Sequence, residues 1–456
     1  MVLIKTLHVA TTLLYMIKLQ QSSLLSVKRQ RLYLAGSLSL LAYIYLCWNS
    51  QSYGQANLID LLVVAAIGFA ASVFVCLQTS EGEQVPLLDI LLFALAFRLL
   101  GLFTFPILED DFYRFLWDGF VTVDQGSPYG LPPSNWFDRD VPSSIEPLLD
   151  TINYPDIATV YGPSLQWLFA LSYLIAPGEI WPFKSMILIA DLCVMIGLLK
   201  LAPRRYIVLY AWSPLVIKEF VISMHPDLIG VSLMVFALVA YKARRDTLLG
   251  FLMALALGVK VFAIIILPFL LLLKWRAWLA FLATALLISL PFGLLAAWLP
   301  EGLVAMSKFW LFNAALYELF IEIIGFDELK LVLVGLFLVF GGLYGLHWLR
   351  MHWHDDSPRE LPRGDLLFAG LLLILPALNP WYMVWILPFA VIWPSRWAWA
   401  ASFALLLSYG SAINLPELFA QGLQDYQLPV WLLILEFGLI LLAALLDWRS
   451  PNAKLN

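Results

Sequence analysis

The sequence predicts an all-α integral membrane protein whose helices cross the bilayer many times. Of its 456 residues, 62% are hydrophobic and only 13% are charged, whereas soluble domains carry roughly 25% charged residues. The mean hydropathy is +0.85, and many apolar runs are long enough to span a hydrocarbon layer of roughly 30 Å. These observations favour a single integral membrane domain over residues 1–456, with about 12 to 14 spans, and disfavour a large soluble enzyme.

The apolar runs predict the spans one by one along the chain. Several runs are short and end at proline or glycine, which is why the span count has a range. The first 18 residues predict either an amphipathic surface helix or a further span, and they lack a clear signal-peptide cleavage site. The runs are 33–48, 58–78, 87–107, 183–201, 206–222, 227–241, 247–258, 261–273, 277–297, 331–349, 364–378, 381–394, 397–413 and 428–447.

Basic residues predict the orientation of these spans, because Lys and Arg concentrate in cytoplasmic loops. The clusters lie at 28–31, 204–205, 242–245, 274–276 and 350, and the series continues at 396 and 449. Placing all of these in the cytoplasm requires Tyr161–Pro177 to be re-entrant or tilted; the alternative is that one basic cluster breaks the rule. In either case, three crossings before Leu108 predict that residues 107–160 lie outside. No basic face indicates nucleic-acid binding, and the three cysteines have neither disulfide nor metal-ligand spacing.

The external loop at 107–160 is the longest polar segment and holds ten acids but only two bases. Within it, "DFYRFLWDGFVTVDQG" keeps apolar residues at helical spacing and stops at Gly126. This pattern predicts an amphipathic helix lying along the membrane surface. A second interfacial helix is predicted over Leu303 to Ile324.

Three consecutive acids, Glu109, Asp110 and Asp111, begin this loop. They suit a solvated helix N-terminus, where carboxylates cap free N–H groups and meet the positive end of the helix dipole. They also suit catalysis, because a carboxylate beside the apolar phase has a raised pKa and can act as a general base. Such a position fits a reaction between a lipid-borne donor and a polar acceptor.

A second group of ionisable residues lies in "AWSPLVIKEFVISMHPDLIG", where Lys218, Glu219, His225 and Asp227 share the external end of two predicted spans. Charged groups at membrane depth line a cavity or pair with each other, so a structural Lys–Glu pair is the alternative to a site. The segment has too few ligands of its own for zinc. Near mid-span, Asp191 and Glu436 are interpreted as structural contacts between helices.

Lys260 interrupts roughly 27 apolar residues, a length that alone spans a bilayer. At an external hairpin tip between two short spans it would attract an anion, and lysine is a common partner for phosphate. Snorkelling to the interface is the alternative. Farther along, "LNPWYMVWILPF" places Trp381 and Tyr382 at an external boundary, where an aromatic belt is the simpler interpretation.

The loop motifs resemble those of bacterial GT-C polyprenol-phosphate-mannose-dependent mannosyltransferases. The resemblance rests on "DDFYRFLWDGFVTVDQGSPYGLPP" and "INYPDIATVYGPSLQWLFAL", with the acidic-Tyr-Arg run, the Trp-Asp-Gly step, the Ser-Pro-Tyr turn and the aromatic-Pro pair in order. "WSPLVIKEFVISMHPD", Lys260 before Pro268, and the Pro-Trp-Tyr-x-x-Trp run at 380–385 are also similar to segments of that family. The resemblance extends over roughly residues 85 to 395.

The resemblance implies a GT-C-like enzyme that moves a sugar, most often mannose, from a polyprenyl-phosphate donor to a hydroxyl of a glycan or glycolipid. It implies inversion with an aspartate general base, for which Asp111 is favoured and Asp110 is the alternative. Lys260, His225 and Arg114 would bind the donor phosphate. The substrate-binding residues it implies are Tyr113, Asp118, Tyr129, Glu219, Asp227, Trp381 and Tyr382.

The same resemblance implies partners and a location. The partners are the lipid donor, the acceptor and membrane lipid, without nucleic acid, and the protein would lie in the inner membrane with its site on the external side. No cofactor is expected, with a divalent cation held by carboxylates as the alternative. A transporter or flippase is the competing class, but transporters place binding residues at mid-membrane in two related halves, and this chain shows neither feature.

Overall fold

The computed structural model describes residues 28–51, 57–79, 86–308, 310–352 and 359–449. Within these ranges the regular secondary structure is helical, and the one strand-like pairing is an isolated bridge between Phe312 and Ala377. The all-α membrane architecture is therefore confirmed. The two interpretations of the first 18 residues fall outside the described ranges.

The longer helices are labelled α1 to α14 in chain order. They are α1 (Lys28–Trp48), α2 (Leu58–Leu77), α3 (Leu87–Leu102), α4 (Asp111–Gln125), α5 (Pro163–Ile175), α6 (Trp181–Leu201), α7 (Asp227–Lys242), α8 (Asp246–Val259), α9 (Trp275–Ser289), α10 (Ala315–Ile324), α11 (Phe326–His352), α12 (Gly364–Ile374), α13 (Arg396–Ala404) and α14 (Val430–Arg449).

Shorter helical segments connect or extend these helices. They are Pro133–Trp136, Glu146–Leu149, Arg204–Tyr206, Ile207–Ala211, Pro214–Val216, Ile217–Ile222, Val261–Ile265, Leu267–Leu271, Leu290–Phe292, Leu294–Trp298, Glu301–Met306, Pro380–Trp385, Leu387–Ile392, Leu405–Tyr409 and Pro416–Gln421.

Six helices of the described chain are long and apolar enough to cross a membrane, namely α1, α2, α6, α9 (extended to Phe292), α11 and α14. A seventh span results if Pro214–Ile222 and α7, which are bent by 117° at a short break, are taken together. Of the other predicted spans, 206–222, 261–273 and 381–394 are divided into shorter helices around Pro214, Pro268 and Pro388, because proline removes a backbone donor and clashes with the preceding turn. The runs at 87–107, 247–258 and 364–378 each contain one helix of fewer than 18 residues. The predicted range of 12 to 14 spans counted these divided segments individually.

Two of these breaks position ionisable side chains. The chain turns at 223–226, between the π-helical turn Ile217–Ile222 and α7, and His225 lies in that turn. It turns again after α8, where Lys260 has an extended backbone conformation before the 3-10 turn Val261–Ile265. Irregular backbone at membrane depth is tolerated where it is buried in protein or lines a cavity, so both turns mark the walls of a cavity.

The core lies around α6, α7 and α8, which pack side by side, with α9 packed against α8. The largest fully buried side chains are tryptophans and an arginine, including Trp117, Trp212 and Trp385. The outer helices are apolar on their exposed faces, as Leu331 of α11 (74% exposed) and Ile434 of α14 (68% exposed) illustrate. Such faces suit contact with lipid tails, in agreement with a membrane protein.

Helix α4 confirms the predicted helix and its end, since Gly126 caps it with a left-handed φ of +76°. Its apolar face, however, packs along α5 instead of facing lipid. Gly119 permits this close approach, because a Cβ there would lie 2.4 Å from the carbonyl oxygen of Phe169. The amphipathic pattern of α4 therefore arises from burial against α5, the helix that follows the loop.

The single interfacial helix predicted over 303–324 is wrong. The chain forms Glu301–Met306, leaves helical structure, and resumes with α10 at Ala315. The cause is backbone pairing with a distant segment: Phe312 donates its N–H to Pro376 and accepts from the N–H of Leu378, both at 2.9 Å. Asn313 follows with a φ of +49°, which a helix cannot contain.

Both mid-span acids make structural contacts, but that of Asp191 joins two helices as predicted, whereas Asn313, the partner of Glu436, lies outside the helices. Asp191 of α6 forms a fully buried ion pair with Arg98 of α3 and accepts a hydrogen bond from Tyr210 at 2.9 Å. Glu436 of α14 accepts a hydrogen bond from Asn313 at 2.7 Å. Paired burial of this kind holds helices in register, because breaking either pair would leave a buried polar group alone.

Candidate active site

A cavity of about 550 Å³ lies where the start of α4, the segment before α5, and the two helix breaks meet. Eight of the residues singled out in the sequence line it. They are Asp110, Asp111, Arg114, His225, Asp227, Lys260, Trp381 and Tyr382. Segments more than 250 residues apart in the chain thus contribute charged and aromatic groups to one concave space, as expected for a small-molecule site.

The two aspartates occupy different positions at the start of α4. Asp110 is the residue before the helix and accepts a short hydrogen bond from the amide of Asn153. Asp111 is the first helical residue. The pKa of Asp111 is raised to about 7, mainly by burial and also by the neighbouring charge of Asp110, while Lys260 and Arg114 act in the opposite direction. A carboxyl group with this pKa can accept a proton near neutral pH.

Lys260 projects into the cavity from the break after α8. Its ammonium group lies 2.9 Å and 3.0 Å from the two carboxylate oxygens of Asp227, and 4.0 Å from the ring centre of Tyr382. Asp227 is held from the other side by Trp385, whose indole N–H donates to it at 2.8 Å. The lysine is therefore oriented by a buried carboxylate and an aromatic face, and 24% of its side chain stays exposed to the cavity.

His225 connects the cavity to a buried polar network behind it. Its ring stacks on Trp381 at 3.8 Å between centres, and its Nε2 atom lies 3.5 Å from Glu219 and 3.8 Å from Glu109. The hydroxyl of Tyr409 lies 2.7 Å from Glu109 and 3.0 Å from Glu219. Burial raises the pKa of Glu109 well above its usual value, against the opposing charge of Lys218.

Lys218 completes this network. Its ammonium group lies 3.1 Å from Glu219, donates a short hydrogen bond to the hydroxyl of Tyr409 and lies 3.6 Å above the Tyr409 ring centre. The predicted Lys–Glu pair is thus present, but it is linked to the first acid of the loop through Tyr409. The network therefore fixes the position of Glu109, the residue that directly precedes Asp110 and Asp111 in the chain.

Arg114 lies one helical turn after Asp111, and its guanidinium is held in place by two partners. It donates to Asp118 at 3.0 Å and to the carbonyl of Ile157 at 2.6 Å. Asp118 is buried and also accepts from Thr159, which in turn accepts from Gln166 at 2.9 Å. Asp118 therefore contacts Arg114 and the 157–166 segment instead of lining the cavity, which explains the Trp-Asp-Gly step in structural terms.

The remaining predicted substrate-binding residues lie behind the lining. The hydroxyl of Tyr129 donates to the carbonyl of Tyr161 at 3.0 Å, and its ring packs on Phe292. Tyr113 packs on Phe112 at 4.0 Å between ring centres. Glu219 reaches the cavity only through His225. Their predicted roles in substrate binding stay predictions. Tyr129 and Glu219 contact the lining residues Tyr161 and His225, whereas Tyr113 contacts Phe112, which does not line the cavity.

Two overlapping groups have the composition of a cation site. Glu109, Glu219 and His225 form one, and the three consecutive acids form the other, with possible ligand atoms within 4.8 Å in each. In the first group, Lys218 and Tyr409 already contact the glutamate oxygens. A cation in the first group would have to compete with an ammonium group, and in the second group Glu109 and Asp110 already accept hydrogen bonds from Tyr409 and Asn153, so both groups fit a metal poorly. The expectation of a site without a cofactor stays a prediction.

Several residues of the site were not identified from the sequence. Tyr409 lies in the apolar run "SFALLLSYGSA", where a tyrosine carries no polar signal. Asn153 and Tyr154 belong to the "INYPD" motif that carried part of the resemblance, but no role was drawn from them. Trp310 lines the cavity from a segment that was predicted to be an interfacial helix. Tertiary contact, not local pattern, brings these residues together.

Comparison with known proteins gives a family match for this chain. Residues 34–276, just over half of the chain, match the family model described as alpha-(1->6)-mannopyranosyltransferase, N-terminal domain. No curated protein and no solved structure matches the chain. The matched part contains the acids of the first loop, His225, Asp227 and Lys260, while Trp381, Tyr382 and Tyr409 lie beyond it.

Proposed function

The chain belongs to the alpha-(1->6)-mannopyranosyltransferase family, and we propose that it transfers mannose from a polyprenyl-phosphate donor to a hydroxyl of a glycan or glycolipid. It is a membrane glycosyltransferase. The observation that carries the finer proposal is the convergence, in one cavity, of a carboxyl group with a pKa of about 7 and a lysine fixed by a buried aspartate. The carboxyl group of Asp111 is suited to accept a proton, and the ammonium group of Lys260 is suited to bind a phosphate.

The donor phosphate is proposed to bind between Lys260, His225 and Arg114, which line the same cavity. Lysine attracts phosphate as a point charge, whereas arginine presents a planar donor fork. The apolar part of the lining extends from these groups and would hold the first isoprene units. It comprises Leu257, Val261, Phe262, Ile264, Leu303 and Met306.

Asp111 is proposed as the general base, with Asp110 as the alternative. The acceptor hydroxyl gives its proton to the carboxylate as its oxygen bonds to the anomeric carbon. The bond from that carbon to the phosphate oxygen breaks, and polyprenyl phosphate leaves with the electron pair. Attack from the face opposite the phosphate inverts the configuration, so a β-linked donor would give an α-mannoside. Cationic side chains at the leaving phosphate stabilise the charge that develops there.

The active site is proposed to face the external side of the inner membrane. The basic clusters at 28–31, 204–205 and 242–245 support this orientation, because they fall at the opposite ends of the helices from the acidic loop. A lipid-bound donor also suits that side, where nucleotide sugars are not available to an enzyme. No metal is proposed to take part, since Lys218, Tyr409 and Asn153 already contact carboxylates of the two groups that could bind it.

The test is transfer by the purified chain in nanodiscs, with a short-chain β-mannosyl phosphate lipid and a panel of neutral glycosides. We expect transfer by the wild type, retention of transfer in EDTA, and its loss in Asp111→Asn with donor binding intact. Loss in Asp110→Asn alone would move the base to Asp110, and wild-type rates in both variants would refute an aspartate base. No transfer from any lipid phosphate sugar would refute the donor, and loss in EDTA would refute the metal-free site.

A further inference from the structure

Three aromatic side chains form a group at the edge of the cavity beside Asp110. The rings of Tyr154 and Trp310 lie 5.5 Å apart, and those of Trp310 and Tyr426 lie 6.2 Å apart. They come from the loop before α5, the segment before α10 and the segment before α14, so tertiary folding alone assembles them. Tyr154 and Trp310 line the cavity directly. We call these three residues the aromatic rim.

The aromatic rim is tied to the acids of the loop. Tyr154 directly follows Asn153, whose amide donates to Asp110. Tyr154 keeps a left-handed φ of +48°, which is uncommon for a residue other than glycine and carries a steric cost. That backbone conformation lets one dipeptide hold Asp110 with its first side chain and extend the rim with its second.

The aromatic rim also lies in a negative field. Burial raises the pKa of Tyr154 and of Tyr426, and the negative charges of Asp110 and Asp111 raise both further. In contrast, the cationic groups contact a different part of the lining, where Lys260 pairs with Asp227 and lies over Tyr382. The cavity thus has a cationic part with apolar surroundings and an anionic part with an aromatic rim.

The side chains of the aromatic rim are not fully buried, so packing in the protein core does not explain their presence. Tyr154 is 36% exposed, and Trp310 is half-buried at the cavity edge. Large aromatic rings left partly open beside carboxylates suit a carbohydrate, because the C–H face of a pyranose packs on an aromatic face while its hydroxyls donate to carboxylate oxygens. An anionic sugar would meet like charges here, which costs binding energy.

We infer that the aromatic rim is the acceptor subsite and that it binds a neutral terminal pyranose. One hydroxyl of this sugar would donate a hydrogen bond to Asp110. This inference rests on the proposed function, since it assigns the acceptor side of the same cavity. An acceptor seated there presents a hydroxyl to the start of α4. The donor phosphate approaches Asp111 from the side of Lys260. The two substrates would then meet at the two adjacent aspartates.

The experiment measures acceptor binding directly, so that it does not depend on the donor being correct. The full chain in nanodiscs is titrated with methyl α-mannopyranoside and with the corresponding methyl mannosiduronate, followed by saturation-transfer NMR. Decyl phosphate is titrated separately as a probe of the cationic part. The variants are Tyr154→Ala, Trp310→Ala and Trp310→Phe, with Trp431→Ala as a matched control, because Trp431 is 62% exposed on the outside of α14.

We expect the neutral glycoside to bind the wild type and the Trp431 variant equally, and to lose about tenfold in affinity in each alanine variant of the rim. Trp310→Phe should retain most of the affinity, and decyl phosphate should bind all variants alike. Equal binding of the charged glycoside, unchanged affinity in the rim variants, or no saturable binding by the wild type would each overturn the inference. Failure of the donor in the transfer assay would leave these results unaffected and would count against the proposed function only.

Discussion

The hydroxyl of Tyr409 lies 2.7 Å from a carboxylate oxygen of Glu109, although 300 residues separate the two in the chain. The same hydroxyl lies within 3.1 Å of both carboxylate oxygens of Glu219. Tyr409 therefore joins the start of the acidic loop to the break that carries His225. Because the family match ends at residue 276, the C-terminal part of the chain completes a site whose acids and Lys260 belong to the matched part.

Replacement of Tyr409 by phenylalanine should loosen this junction. The change keeps the ring over Lys218 but removes the hydroxyl that contacts both Glu109 and the buried Glu219, and an unmade hydrogen bond to a buried group costs about 1–3 kcal/mol. Since Glu109 directly precedes Asp110 and Asp111, transfer should fall roughly 10- to 100-fold. Thermal unfolding and initial transfer rates would measure the two effects.

Tyr43→Phe is the matched control for this variant. The hydroxyl of Tyr43 is also buried, but it has no hydrogen-bond partner in the described part of the chain. Removing it should leave both stability and transfer unchanged. Equal effects of the two substitutions would contradict a specific role for the Tyr409 hydroxyl.

The pH dependence of transfer should report the ionisation of Asp111. Its pKa is raised from 3.8 to about 7, and a general base must be deprotonated to work. Consequently kcat/KM should rise with pH, tenfold per pH unit below about 7, and level off above it. Asp110→Asn removes a neighbouring negative charge and should move the rise to lower pH. A flat profile across this range would contradict the assignment of Asp111.

The same shift predicts how stability changes with pH. A carboxyl group whose pKa is higher in the folded state than in the unfolded state stabilises the fold at low pH, and this contribution is lost as pH rises towards the folded pKa. Asp111→Asn, which cannot ionise, should therefore gain melting temperature relative to the wild type as the pH rises from about 4 to about 7, the interval between the ordinary and the raised pKa. A constant difference in melting temperature would show that the pKa of Asp111 is not raised by folding.

Gly119 should be intolerant of a methyl group. A Cβ at this position would lie 2.4 Å from the carbonyl oxygen of Phe169, and a backbone atom cannot move aside as a side chain can. Gly119→Ala should cost about 1–3 kcal/mol of stability and displace α4, which carries Asp111 and Arg114. Gly335→Ala in α11 is the control, since no atom lies within 4 Å of a Cβ there. Equal melting temperatures for both variants would refute the close packing of α4 on α5.

The sequence predicted the parts of this molecule that local chemistry determines. Helix α4, its glycine cap, and the charged residues at two helix breaks all follow from spacing and from the cost of placing charges in an apolar run. The resemblance led us to expect Asp111 and Lys260 in one site, and both residues line the same cavity.

Contacts between distant segments could not be predicted in this way. Phe312 pairs with a backbone segment more than 60 residues away, which divides the helix predicted over 303–324. Tyr409 gave no signal because an apolar run may contain a tyrosine for packing alone. Glu109 was regarded as part of an acidic run, and its contacts with Tyr409 and His225 separate its surroundings from those of Asp110 and Asp111.

Lys260 should be needed for binding and departure of the donor phosphate, and a substitution must separate this role from its structural one. Lys260→Met removes the cation but leaves Asp227, only 2% exposed, without its ion-pair partner, and an unpaired buried charge is strongly destabilising. The double variant Asp227→Asn with Lys260→Met removes both charges and should restore stability. Its kcat/KM for the donor should still be reduced roughly 10²- to 10³-fold, as for the loss of one donor to an oxyanion. Lys242→Met, at an exposed position of α7, should transfer as the wild type does. Recovery of transfer together with stability in the double variant would show that Lys260 serves only to neutralise Asp227.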